Sequence, residues 1–107
     1  MKKFIIFPAT SVGDLVDESQ QQHNCVRNYV ERYAKGSCDI YFMREVTNTQ
    51  KSLVTVEVMD NKIVQKRIKR NDPTNKEQNE FLELWENAVL KQKMQKVSKR
   101  TLEYAAV

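Results

Sequence analysis

Between Cys38 and Arg70 the chain reads as three alternating segments separated by two polar interruptions. CDIYFMREV (38–46) is dense in aromatic and branched residues, KSLVTVEVM (51–59) alternates apolar with polar, and KIVQKRIKR (62–70) repeats the pattern in a basic key. Period-two alternation of this kind predicts half-buried strands. Asp60-Asn61 suits a two-residue hairpin turn, and TNTQ (47–50) a four-residue one. KFIIFPA (3–9) predicts a further short strand stopped by Pro8.

Elsewhere the period changes to that of a helix. Apolar residues at 25/26, 29/30 and 33 predict a short helix from about Glu18 to Tyr33, closed by Gly36 with Arg32 and Lys35 in its last turn. TSVGDLVDES (10–19) before it reads as a loop or a turn of helix. Asn71-Asp72-Pro73-Thr74-Asn75 ends the sheet and caps a long amphipathic helix from Lys76, with Phe81, Leu84/Trp85, Ala88/Val89 and Gln92 at helical spacing. That helix is expected to fray, or to adapt to a partner, beyond residue 98. The order β-α-β-β-β-α predicts an α+β fold: a three- to four-stranded, mainly antiparallel meander sheet, one short helix before it and one long C-terminal helix. We expect one domain over 1–97 and a tail or helix extension over 98–107.

Closing both turns tightly sets a register. Cys38, Ile40, Phe42, Arg44, Leu53, Thr55, Glu57, Val64 and Ile68 then share one face. Tyr41, Met43, Val54, Val56, Val58, Ile63, Gln65 and Arg67 share the other. A slip of one residue would exchange the last strand's set. Arg44 and Glu57 come close in this register, which predicts an ion pair between them on an otherwise apolar face.

Composition adds that the chain is globular rather than disordered: 107 residues, 40% apolar, 30% charged, two glycines and two prolines. No apolar run approaches the roughly 18 residues of a membrane span. Residues FIIF are too short for a secretory h-region, so a cytoplasmic protein is expected. The net charge is +4, unevenly spread. Residues 62–70 carry five basic residues and no acid, and 91–107 carry five against Glu103 alone. The remainder holds eight basic and thirteen acidic residues, formally −5. A bipolar chain of this kind draws polyanions locally. In the long helix, however, Glu77, Glu80, Glu83 and Glu86 precede the lysines, an order that the helix dipole favours by itself. Cys25 and Cys38 form no C-x-x-C unit, and one histidine cannot complete a zinc site within one chain, so no metal or cofactor is expected.

His23-Asn24-Cys25-Val26 with Tyr29, Tyr33-Ala34-Lys35-Gly36, Ile40–Arg44, Thr55–Val58, Ile63-Val64-Gln65 with Arg67, Asn71 and Trp85 form a combined pattern. Together these stretches resemble the PcfJ-like family of plasmid- and phage-borne bacterial proteins. The resemblance spans roughly residues 11 to 90 and implies a link to conjugative elements and phages, with no settled activity. The family often carries this region at the end of a longer chain. Its pattern also has Glu-Gly before the helix and a second histidine beside the first, where this chain has Glu18-Ser19 and Gln22.

Candidate chemistry divides into three groups. His23 and Cys25 would make an imidazole–thiolate pair only in an irregular first turn, since i and i+2 on a regular helix point apart. Otherwise Cys25 is a small buried apolar residue facing Tyr29 and Tyr33. A polar cleft between the first helix and the sheet would gather Tyr29, Tyr33, Arg44, Glu57, Gln65, Arg67 and Asn71, with Glu57 as a base or anchor and an arginine binding an anion. The alternative is a structural network. Lys62, Lys66, Lys69 and Arg70 form a basic strand fit for nucleic-acid phosphates, with Tyr41 the one aromatic that could stack on bases. A basic edge strand also resists aggregation. The leading expectation is an accessory or interaction protein of a mobile element, binding nucleic acid or a protein partner. The rival is a small nuclease- or transferase-like enzyme built on His23, Arg44, Glu57 and Gln65. The stripe Phe81–Trp85–Val89 belongs to the core or to a homodimer seam.

Overall fold

The computed structural model describes residues 3–23 and 27–92, with the side chains of residues 27–29 and of Asn71 left out. Its elements are β1 (Phe4–Pro8), α1 (Val12–Gln22), α2 (Arg27–Ala34), β2 (Asp39–Glu45), β3 (Val54–Met59), β4 (Lys62–Arg67) and α3 (Lys76–Trp85). A 3₁₀ turn (Lys69–Asn71) precedes α3, and a π turn (Glu86–Leu90) follows it. The strands form one antiparallel sheet in the order β1-β2-β3-β4, so the predicted α+β meander is what the chain forms. Among the described residues no helix is long and apolar enough to cross a membrane.

Each sheet face builds its own core. Met43, Val54, Val56 and Val58 point to one face and pack with Leu82 and Leu90 of the C-terminal helix. Ile40 and Phe42 point to the other and pack with Leu15 of α1 and, at the margin, Val30 and Tyr33 of α2. The sheet is thus the middle layer, with α1 and α2 above it and α3 below.

The predicted helix over 18–33 is two helices. Ser11 caps α1, accepting from the Asp14 N–H at 3.2 Å, so the segment read as a loop or a turn of helix is a full helix from Val12. His23 ends it in the left-handed region (φ 53°), its N–H bonding the Ser19 carbonyl. That conformation usually falls to Gly or Asn, which is why the sequence pattern gave no stop there. Gly36 (φ 75°) does end α2 as expected: its N–H bonds the Tyr33 carbonyl and the Ser37 N–H reaches Arg32.

In the sheet, Asp60 and Asn61 both take positive φ (53° and 60°), the geometry of a tight hairpin turn. The β2–β3 connection is longer than the four residues expected, with β2 ending at Glu45 and β3 starting at Val54. The register of the last strand also needs correction. Val58 pairs with Ile63 but Glu57 with Gln65, so Val64 is an extra, bulged residue. Beyond the bulge Gln65 and Arg67 share the face of Glu57 and Thr55 rather than that of Val56, and Ile68 joins the α3-side core.

Asn75 and Gln78 form a reciprocal capping box at the start of α3, each side chain satisfying the other's backbone N–H at 2.8 and 2.9 Å. Asn75→Ala is expected to cost about 1 kcal/mol in denaturant unfolding; a change within error would mean that the box contributes nothing. The π turn adds a residue to the spacing between Trp85 and the next inward position. Leu90 is therefore buried, and Val89, placed by sequence in a stripe for the core or a homodimer seam, is exposed. Phe81 and Trp85 do face the core, edge-on to Phe4 (5.5 Å) and Tyr41 (4.8 Å).

Candidate functional site

The face of the sheet under α1 and α2 holds two acid–base pairs, each joining a strand to a helix, one buried and one with a partly exposed arginine. The expected Arg44–Glu57 pair does not form. Arg44 projects from β2 to Glu18 on α1: Nη1 donates to Oε2 at 3.1 Å, and Nη2 donates to Oε1. Thr55 Oγ1 of β3 donates to the same carboxylate at 2.8 Å. The guanidinium lies over the rings of Phe42 (5.1 Å) and Phe7 (5.7 Å), so its faces meet aromatic faces while its edge meets the carboxylate. Both ions are at least nine-tenths buried.

The second pair joins Glu57 of β3 to Arg32 in the last turn of α2, Nε to Oε2 at 2.8 Å and Nη2 to Oε1 at 3.1 Å. Glu57 holds the Arg32 guanidinium above its ordinary pKa. Buried Cys38 adjoins both, and its thiol is pushed up to about 11, first by burial and then by the Glu57 carboxylate. Tyr33 anchors α2 by donating to the Ala9 carbonyl at 3.2 Å. Each acid is held by an arginine that the sequence places 25 or 26 residues away, so both charges are committed to holding the helices on the sheet.

Of the residues singled out by sequence, Arg44, Glu57, Gln65 and Arg67 share this face. Gln65 is exposed beside Glu57, and Arg67 is half-buried with Nη1 on the Lys66 carbonyl at 2.9 Å. His23 is exposed at the end of α1, and Glu57 is engaged by Arg32 instead. Cys25, the side chains of Tyr29 and Asn71, and residues 93–107 lie outside the described residues. Lys62, Lys69 and Arg70 are exposed on β4 and the following turn, with Lys66 half-buried between them. Among the described residues no three His, Cys, Asp or Glu gather in a way that could hold a metal.

Glu18 and Arg32 are the functional side chains that sequence reasoning missed. Arg32 had been noted only for its place in a last turn. Glu18 recurs with Leu15, Ser19 and Gln22 as the buried face of α1, a helical spacing that a search for apolar residues passes over. An open groove of about 340 Å³ lies along α1 and β1, with Thr10, Asp14, Asp17 and Gln21 at its side and the Arg44–Glu18 pair at its floor. Asp14 is held below its ordinary pKa, chiefly by the Thr10 N–H, which donates to it at 2.9 Å.

Comparison with curated proteins and with solved structures finds no match for the chain. A family model of PcfJ-like proteins matches residues 1–82, from β1 into α3. The chain belongs to the PcfJ-like protein family.

Proposed function

We infer that the protein is a non-enzymatic interaction module of a bacterial mobile element that engages the phosphate backbone of nucleic acid through β4 and the turn after it. The carrying observation is the edge strand itself. From Lys62 to Arg70 it presents five cations with no acid among them, and Lys62, Lys69 and Arg70 are exposed. Support against a catalytic role comes from the polar layer: Glu57 and Arg44, the base and anion-binding candidates, are each engaged in a two-point ion pair, Glu57 with Arg32 and Arg44 through Nη1 and Nη2 with Glu18. Tyr41 packs under Trp85, which favours charge over base stacking as the mode of contact. The mobile-element setting follows the plasmid and phage association of the family.

The test is a fluorescence-anisotropy titration of labelled duplex DNA, single-stranded DNA and RNA across a salt series. With about four phosphate contacts, affinity for duplex should fall about 10²-fold between 50 and 200 mM salt. Changing Lys62, Lys66, Lys69 and Arg70 to glutamine should flatten that dependence and abolish binding. Absence of binding at low salt, or binding indifferent to the four changes, removes the reading.

A further inference from the structure

The two edges of the sheet are finished differently. At β4 the Ile63 N–H is taken by the Glu86 carboxylate at 2.6 Å, Val64 bulges out of register, and cations line the strand. These are devices that keep an edge from pairing. At β1, among the described residues, no carboxylate takes a backbone N–H, no bulge breaks the register and no cation lies within the strand, Lys3 and Pro8 standing only at its ends. The Val46 N–H bonds the Lys3 carbonyl and the Ala9 N–H bonds the Ile40 carbonyl. Odd-numbered residues from 3 to 9 therefore turn their backbone groups toward β2, and the alternation turns those of Phe4, Ile6 and Pro8 outward. Among the described residues nothing pairs with this side. The strand itself is FIIFP, without a charge, and Ile5 is 42% exposed on it.

We propose that β1 is a self-pairing edge, through which two copies of the chain join antiparallel about a two-fold axis at Ile6 into one eight-stranded sheet. Ile6 then stands opposite the partner's Ile6 and exchanges two hydrogen bonds with it. Phe4 stands opposite the partner's Pro8, its N–H donating to that carbonyl, so both outward donors are used and the proline needs none. Such an axis keeps the α1 faces of the two copies on one side. Ile5 packs there against the partner's Phe7. Lys3, exposed and on the same face, arrives beside the partner's Ala9, at the end of the groove that carries Asp14 and Asp17. The lysine–carboxylate match occurs twice by symmetry, which is what selects a second copy over an unrelated strand.

Sedimentation equilibrium of the full chain without nucleic acid, paired with amide hydrogen exchange, tests this separately from the nucleic-acid reading. The expected result is a dimer in which the Phe4 and Ile6 amides exchange more slowly as concentration rises. Lys3→Glu should weaken the dimer about tenfold or more, because the reversal acts at both ends. Adding Asp17→Lys should restore it. Lys3 and Asp17 are both exposed, so circular dichroism should show unchanged folding in these variants. A monomer at every concentration, or a dimer whose Phe4 and Ile6 exchange ignores concentration, overturns the proposal.

Discussion

Arg44→Ala is expected to destabilise the protein by about 3–5 kcal/mol, because it leaves the Glu18 carboxylate, only 1% exposed, without its cation. Single domains are stable by only about 5–15 kcal/mol, so the variant should sit near the edge of folding at room temperature. Removing the whole polar group is a different operation. Glu18→Leu, Arg44→Met and Thr55→Val together leave no buried charge and no orphaned hydroxyl, and should recover most of the loss. Guanidinium titrations followed by far-ultraviolet circular dichroism would compare the two. A loss below about 1 kcal/mol for Arg44→Ala would mean that water or a rearranged helix solvates Glu18, and the buried pair would then not be what fixes α1.

That contrast bears on what the layer is for. A charge pair that apolar residues can replace is not required for stability, but it restricts how α1 can sit. Glu18 accepts from Arg44 on β2 and from Thr55 on β3, so a slide of α1 along the sheet breaks all these bonds together. Arg32 and Glu57 do the same for α2. The helices are thereby fixed relative to both edges of the sheet, the basic one and the open one.

What the sequence disclosed and what it hid divide along physical lines. β2, β3, the Asp60-Asn61 turn and the helix from Lys76 were legible, since side-chain period and turn chemistry are local. α1 was not, because its buried face is Leu15, Glu18, Ser19 and Gln22, and three of those four are polar. Its end was hidden because His23 adopts a conformation that sequence associates with glycine. The bulge at Val64 and the π turn before Leu90 each add one residue to a regular period, and nothing in the residue types marks either. In the site, the alternation correctly placed Arg44 and Glu57 together on a buried face. It paired them with each other because the strands were the only frame to hand. The actual partners sit on helices two dozen residues upstream, at distances in sequence that no local pattern reports.

Cys38 should make the protein lose stability in alkali. In the unfolded chain its thiol ionises near pH 9.0, whereas burial and the neighbouring Glu57 carboxylate hold the folded thiol protonated to about 11, despite the opposing pull of Arg32. Between those values the unfolded chain gives up a proton that the folded chain keeps, so rising pH favours unfolding. The thiol's stabilising share is complete below pH 9 and is lost by pH 11, a change of about 2–3 kcal/mol at roughly 1.4 kcal/mol per unit. Lysines and tyrosines titrate in the same range, so the measurement is a difference: unfolding free energies of wild type and Cys38→Ala at intervals from pH 7 to 11. The gap between them should hold constant to about pH 8.5 and then shift against the wild type. Glu57→Gln should move the onset of thiol labelling to lower pH, because it removes an anion that opposes the thiolate. Parallel stability curves, or labelling of Cys38 at the rate of a free thiol near pH 8 in a Cys25→Ser background, would place the thiol in water and dissolve the Cys38–Glu57–Arg32 arrangement as the anchor of α2.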